Sequence, residues 1–129
     1  MTGTFHCIMT DKDIEFFLEH TNSLHDAYLV GAEFSHNGHS GHNPHYTDPS
    51  LSQLRLRYLV TSIKSAVVEL EFSALQEWQI KDDSYEITDT AVSFSENGNI
   101  IWADDCSTDA EIRAGGSYVI AENMKWRFI

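Results

Sequence analysis

The sequence predicts an α+β fold that is mostly β, with one N-terminal helix and a curled antiparallel meander of about seven or eight strands, barrel-like or sandwich-like. Helical spacing of apolar residues is clear only near the N-terminus, and from residue 27 onward apolar residues alternate with a period of two. Strands that follow one another without intervening helices favour antiparallel pairing. The length of 129 residues fits a single domain, residues 1–129.

The predicted helix covers residues 11–22. Ile14 and Phe17 recur at helical spacing, so one side of the helix is apolar. Thr10 is suited to cap its N-terminus, with Asp13 three residues on as a short version of the capping box.

The strands are predicted from alternation of apolar and polar residues and from the turn signals between them. Asn97-Gly98 is a hairpin turn signal. In the last stretch, even-numbered residues are mostly apolar and are expected to share one face, interrupted only at Glu122. The predicted strands cover residues 27–34, 53–60, 66–72, 75–81, 85–94, 100–103 and 118–129.

Two of these strands carry charges at their outward positions. Arg55 and Arg57 alternate with leucines in one strand, and Glu69 and Glu71 alternate with apolar residues in the next. Neighbouring strands would bring them together as cross-strand pairs. Exposed pairs of this kind usually contribute roughly 0–1 kcal/mol each.

The formal charge is −12, and most of it lies in the second half of the chain. Such a surface repels nucleic-acid phosphates and anionic membranes, so neither is expected as a partner. It attracts a basic protein or a cation. The acidic stretch at residues 104–116 supplies the predicted partner-binding residues, which are Asp104, Asp105, Asp109 and Glu111.

A cytoplasmic protein is expected from three features of the sequence. No apolar run approaches the ~20 residues that span a bilayer, and the N-terminal stretch lacks the pattern of a signal peptide. The two cysteines, Cys7 and Cys106, are too few for a disulfide framework, and reduced thiols are the default.

Residues 35–52 are predicted to form a long histidine-rich loop, with two prolines and little apolar content. His36, His39, His42 and His45 recur at every third position, and four imidazoles are enough for a Zn²⁺ or Ni²⁺ site. In an extended chain, however, consecutive histidines would lie about 9 Å apart, so one metal ion reaches all four only if the chain folds back. A polar loop without metal, or a loop that senses pH or contacts a partner, stays open as an alternative.

Other candidates for chemistry are weaker. His25 and Asp26 are adjacent, but neighbouring residues on a strand point to opposite faces, which argues against an acid–base pair. The acids after residue 103 do not have the spacing of an EF-hand loop. No catalytic residue is assigned, and no cofactor is required by any motif.

The strand patterns resemble those of a class of small bacterial domains. The resemblance covers a strand start at SLHDAYL, a V-x-L-x-F strand at residues 68–72 and an aromatic terminal strand, SYVIAENMKWRFI. Some members resemble immunity proteins of polymorphic toxin systems. The histidine-rich loop looks like an insertion relative to that pattern, and the resemblance carries over no functional residues.

The leading hypothesis is therefore a non-enzymatic protein-binding module, such as an immunity protein that inhibits a basic toxin. One alternative is a metal-binding protein that uses the four histidines of the loop. Another is an enzyme of unknown class with a site inside the curled sheet. An exposed edge strand could also pair two copies of the chain as a homodimer.

Overall fold

The structure is a computed structural model that describes residues 3–36, 52–63, 66–81, 87, 90–104 and 116–129. These residues contain one α-helix and seven antiparallel strands in one sheet. The sheet order is β2-β3-β4-β7-β6-β5, and β1 pairs with β7. The elements are β1 (His6–Cys7), α1 (Asp11–His20), β2 (Ala27–His36), β3 (Ser52–Val60), β4 (Ala66–Gln79), β5 (Thr90–Phe94), β6 (Ile100–Asp104) and β7 (Tyr118–Phe128).

The sheet curls without closing into a barrel, so the mostly β, curled fold that the sequence predicts is confirmed. A single isolated bridge joins Ala27, at the start of β2, to Ile87, which precedes β5. The backbone N–H of Asp26 donates to the carbonyl of Ile87 at 2.9 Å, and the N–H of Ile87 donates to the carbonyl of Ala27 at 2.8 Å. This bridge brings the two outermost strands of the sheet toward each other at one end.

The cap of α1 is the one that the sequence predicts. Thr10 Oγ1 accepts a hydrogen bond from the backbone N–H of Asp13 at 3.2 Å. Asp13 Oδ2 accepts in return from the backbone N–H groups of Thr10 and Met9, both at 2.9 Å. Three backbone donors at the start of the helix are thereby satisfied by two side chains.

The helix ends at His20, two residues before the predicted end. Three consecutive residues, Asn22, Ser23 and Leu24, have φ values of +52°, +55° and +53°. This left-handed region is unfavourable for residues other than glycine, so the turn depends on its surroundings. The carbonyl of Ser23 accepts from Thr90 Oγ1 at 3.1 Å, and Asn22 Nδ2 donates to Ser62 Oγ at 3.1 Å.

The long strand β4 replaces two of the predicted strands. Residues 66–72 and 75–81 were expected to be separate, but pairing with β7 continues from Val68 to Gln79. Ala74 has a φ of +56° and the register shifts between Leu75 and Glu77. A bulge therefore bends one strand where the alternation pattern predicted a break.

The expectation that the even-numbered residues of β7 share one face is wrong. Val119 and Ala121 lie in the main core, whereas Tyr118 packs with Ala103 in a second, smaller cluster. From Met124 onward the even-numbered residues face the main core. The side chains change faces around the predicted interruption at Glu122, beside the bend in β4.

The main core lies on the concave side of the curled sheet and is covered by α1. Phe17 of the helix is fully buried and packs edge-on against Trp126 with ring centroids 5.4 Å apart. Trp102 packs against Tyr58 and Phe72 at centroid distances of 5.9 and 6.0 Å. Burial of these aromatic side chains supplies much of the apolar area that stabilises the fold.

The predicted hairpin is fully described by the structure, whereas the predicted loop at residues 35–52 and the predicted strand at residues 85–94 are described only in part. The hairpin at Asn97-Gly98 is confirmed: Gly98 has a φ of +82° and donates its N–H to the carbonyl of Ser95 at 2.9 Å. The ends of the predicted 35–52 loop are strand, since β2 continues through His36 and β3 begins at Ser52. Residues 37–51 lie outside the described residues, as does most of the predicted 85–89 stretch. No described helix has the length and apolar character needed to cross a membrane.

Candidate functional site

The convex face of the sheet carries a network of charged side chains centred on Glu69. Glu69 Oε2 lies 3.0 Å from Nε of Arg57 on β3, and Oε1 lies 3.2 Å from Nη2 of Arg127 on β7. The side chain of Glu69 has 0% exposure. Strand register explains the arrangement, because Arg57, Glu69 and Arg127 are direct cross-strand partners on one face.

Glu71 forms the neighbouring row of the same network. Its Oε1 lies 3.4 Å from Nε of Arg55, and its Oε2 lies 3.2 Å from Nζ of Lys125. Phe5 covers part of this surface, with Lys125 Nζ and Arg127 Cζ both 4.3 Å from the centroid of its ring. Each buried carboxylate is thus held between two cations, and two of those cations also contact an aromatic ring.

The predicted pairing of arginines and glutamates is confirmed, but the expectation that the pairs are exposed is wrong. Both carboxylates are buried, because a second cation from β7 lies on their other side. The sequence carried a signal for these partners: Lys125 and Arg127 alternate with Trp126, just as the arginines of β3 alternate with leucines. We missed this signal because the order of the strands is needed to read it.

The network changes the charge distribution of the whole surface. It contains four of the eight basic residues of the chain and two of its twenty acids, a net of +2. Since the whole chain carries −12, the rest of it carries −14. The basic residues are therefore concentrated where they neutralise buried acids, and the remaining surface is more acidic than the composition indicates.

The edge strand β2 exposes several large apolar side chains. Tyr28, near the start of the strand, is 38% exposed, Val30 is 56% exposed and Phe34 is 49% exposed. Phe34 stacks on Trp78 of β4, which is 39% exposed, with centroids 5.4 Å apart and an interplanar angle of 28°. We refer to Tyr28, Val30, Phe34 and Trp78 together as the β2 surface, although the strand register places Tyr28 and Phe34 on opposite faces of the sheet.

Strand β2 lies at the edge of the described sheet. Among the described residues, the outer edge of this ten-residue strand pairs only through Ala27. The strand contains one charged residue, Glu33, and neither proline nor lysine. Charged residues, lysine above all, and proline usually protect an exposed edge strand from pairing. In β2 a bulge at Val30 also interrupts the ladder with β3. The β2 edge is therefore a template for an additional strand.

The predicted histidine site is only partly within the described residues. His36 is the last residue of β2 and lines a shallow cleft with Phe34 and Trp78. His39, His42 and His45 lie outside the described residues. In the part of the chain that the structure describes, no group of three or more metal-ligating side chains comes together.

Of the four residues of the predicted acidic partner site, one lies within the described residues. Asp104 ends β6, and its Oδ1 accepts a hydrogen bond from the backbone N–H of Ser117 at 2.8 Å. This contact fixes the start of β7, so Asp104 has a structural role. Asp105, Asp109 and Glu111 lie outside the described residues.

His25 and Asp26 are closer than strand geometry indicated. His25 Nε2 lies 3.5 Å from Asp26 Oδ2, and both side chains are about half exposed. The pair lies in the turn before β2, where Asp26 has a φ of +59°, so the alternation of side chains along a strand does not apply. Its backbone carbonyls accept hydrogen bonds from Thr61 and Ser62, which anchors the turn.

The comparisons with known proteins identify no relative. Searches against protein-family models, curated proteins and solved structures found no match. The surfaces described above are therefore the basis for inferring the function of the chain.

Proposed function

We propose that this protein is a non-enzymatic binding module that docks a basic protein along the β2 edge. The observation that carries the proposal is the long apolar edge of β2, to which no other described strand is paired, with the stacked Phe34 and Trp78 beside it. A partner would add an extended segment to this edge and place apolar side chains on the β2 surface. Backbone hydrogen bonds would supply affinity, and the exposed side chains would supply specificity.

Charge favours a basic partner. The chain outside the convex network carries −14, and the only charged side chain of β2 is Glu33. A field of this sign accelerates encounter with a positively charged protein and disfavours an acidic one. Inhibition of a basic toxin, which the resemblance to immunity proteins implies, is one form that such binding would take.

The same charge disfavours a second copy as the occupant. Two copies would bring together chains that each carry −12, with Glu33 on both edges. Repulsion of this kind opposes association most strongly at low ionic strength. A homodimer across β2 is therefore an outcome that the test below must distinguish from binding of a basic segment.

The test uses a ten-residue peptide in which valine alternates with lysine, with a valine–glutamate peptide as its charge-reversed control. We expect the lysine peptide to bind and to shift the NMR amide signals of β2, because it matches the edge in pattern and charge. The variant Val30→Lys, which adds a charge to an exposed position, should weaken this binding by about tenfold or more, equivalent to 1.4 kcal/mol.

The matched control is Ser93→Lys, at the exposed position of the opposite edge strand β5. It introduces the same residue and the same change of net charge away from the β2 surface. Equal weakening by both variants would mean that binding follows net charge alone and would contradict docking at β2. Amide shifts confined to another part of the molecule would contradict it as well.

A further inference from the structure

A cleft of about 210 Å³ lies on the convex side of the sheet, next to the charged network and away from the β2 surface. Its floor consists of polar side chains from three adjacent strands, including the ion-paired Glu71, and its wall consists of residues Cys7–Met9 and Met124. The residues that line the cleft include Ile8, Met9, Gln53, Ser73, Asn123, Met124 and Lys125.

The floor is a single cross-strand row. Gln53 is paired in register with Ser73, and Ser73 with Asn123, so the three side chains lie side by side on one face. Among the described residues, no other group forms a hydrogen bond with these three side chains. Two amides and a hydroxyl, held on rigid strands, therefore remain available to a ligand.

The charge beside this row is positive. Lys125 lines the cleft and shares the buried carboxylate of Glu71 with Arg55. Glu33 on β2 lies in register with Arg55 and balances the far end of the row, so Lys125 on β7 is the cation next to the cleft. The ion-paired network as a whole has a net of +2. An anion placed over Ser73 and Asn123 would lie at the Lys125 end of the row and would be attracted to that ammonium group.

The wall limits the kind of anion. Met9 is 77% exposed at the rim and supplies most of the apolar surface, whereas Ile8 and Met124 are each only 3% exposed. A strongly hydrated inorganic anion gains nothing from such a wall, whereas a short hydrocarbon chain would cover it. The volume is also smaller than that of pockets for drug-sized ligands, which indicates a small molecule.

We propose that this cleft binds a small organic carboxylate. Its carboxylate contacts Lys125 Nζ and the side chains of Ser73 and Asn123, and its hydrocarbon part packs on Met9. This inference is independent of docking at β2, since the cleft and the β2 surface have no lining residue in common.

The test is an NMR titration of the whole chain with linear carboxylates from acetate to hexanoate and with succinate. At least one acid should give saturable shifts at Ser73, Asn123 and Lys125, with a Kd of about 1 mM or tighter. The neutral amide of the same chain length should bind about tenfold more weakly, since it lacks the charge. Inorganic phosphate should also bind more weakly than the best acid, because it cannot use the apolar wall.

Two variants locate the binding. Lys125→Met should weaken it by about tenfold or more, while Lys12→Met, which makes the same change of net charge on α1, should leave it unchanged. Asn123→Leu, at an exposed position, should weaken binding without affecting the fold. Absence of saturable shifts with every acid, an equal effect of Lys12→Met, or phosphate or the amide binding as well as the best acid would each overturn the proposal.

Discussion

Arg57 donates from Nε to Oε2 of Glu69 across 3.0 Å, although Arg57 is half exposed and Glu69 is completely buried. The carboxylate is therefore taken out of water, and its two arginine partners replace the lost hydration. A buried carboxylate with such partners stabilises the sheet only while the whole set is present. The tests below follow from this and from other local features of the fold.

Removing the charge of Glu69 should destabilise the protein. Glu69→Gln leaves Arg57 and Arg127 facing a neutral side chain and should lower the free energy of unfolding by about 2 kcal/mol, the scale of hydrogen bonds to charged groups. Chemical denaturation measures this change. Glu33→Gln on the exposed edge is the control and should change it by less than about 0.5 kcal/mol. Equal effects of the two variants would contradict a special role for the buried carboxylate.

The N-terminus of α1 should weaken in acid because of Asp13. The backbone N–H of Met9, with further hydrogen bonds from Thr10, lowers the pKa of Asp13 below its ordinary value. A lowered folded-state pKa contributes stability above the unfolded-state pKa, and this stability is lost as the pH falls through the folded-state value, below about pH 4. Hydrogen exchange at Met9 and Thr10 should accelerate there. Asp13→Asn should abolish this dependence and Asp11→Asn should retain it.

The left-handed turn after α1 should be improved by glycine. Ser23 has a φ of +55°, which costs a residue with a Cβ roughly 1 kcal/mol. Ser23→Gly should therefore raise the free energy of unfolding by about that amount. Ser93→Gly in strand β5 should have the opposite sign, because glycine weakens a strand interior. Thermal or chemical unfolding of both variants decides this, and a loss of stability in Ser23→Gly would contradict the assignment of strain.

Self-association of the chain should increase with salt. Repulsion between molecules of charge −12 is screened as the Debye length falls to about 10 Å near 0.1 M salt, which removes the barrier to edge pairing at β2. Sedimentation velocity at low and high salt measures the effect. Val30→Lys should suppress any dimer formed at high salt, and Ser93→Lys should not. Dimer formation that weakens with salt would contradict this account.

The histidine-rich segment should bind Ni²⁺ weakly. Imidazole tracts coordinate such ions, and His36, His39, His42 and His45 provide four of the seven histidines of the chain. Replacing these four by alanine should remove calorimetrically detectable Ni²⁺ binding. Replacing His20 and His25 should leave it unchanged. Tight binding that survives the fourfold replacement would show that the metal ligands lie elsewhere.

The sequence predicted the local features of the fold well because they depend on neighbours in the chain. Thr10 and Asp13 form the predicted cap, and Gly98 forms the predicted turn. The bend at Ala74 was missed, and at Glu122 the interruption was predicted but not the change of faces, since each depends on a partner strand. Periodicity reports which side chains alternate, and it does not report where two strands bend together.

The surfaces were harder to predict than the strands. Arg55 and Glu71 were recognised as a pair, but Lys125 belongs to the same row only because β7 lies beside β4. The β2 surface depends on β2 being an edge strand and on Trp78 reaching Phe34 across the curled sheet. Both facts belong to the order of strands, which a single sequence leaves open.

The central position of β7 determines how the sheet can assemble. Strands β4 and β6, which flank β7 in the sheet, both precede it along the chain. Until β7 forms, the β2–β4 meander and the β5–β6 hairpin are separate pieces, each with an open edge. Joining them requires pairs as distant in sequence as Val68 and Phe128, which slows folding and exposes those edges to aggregation. Substitutions in β7 should therefore lower the yield of refolding more than equally destabilising substitutions in β2.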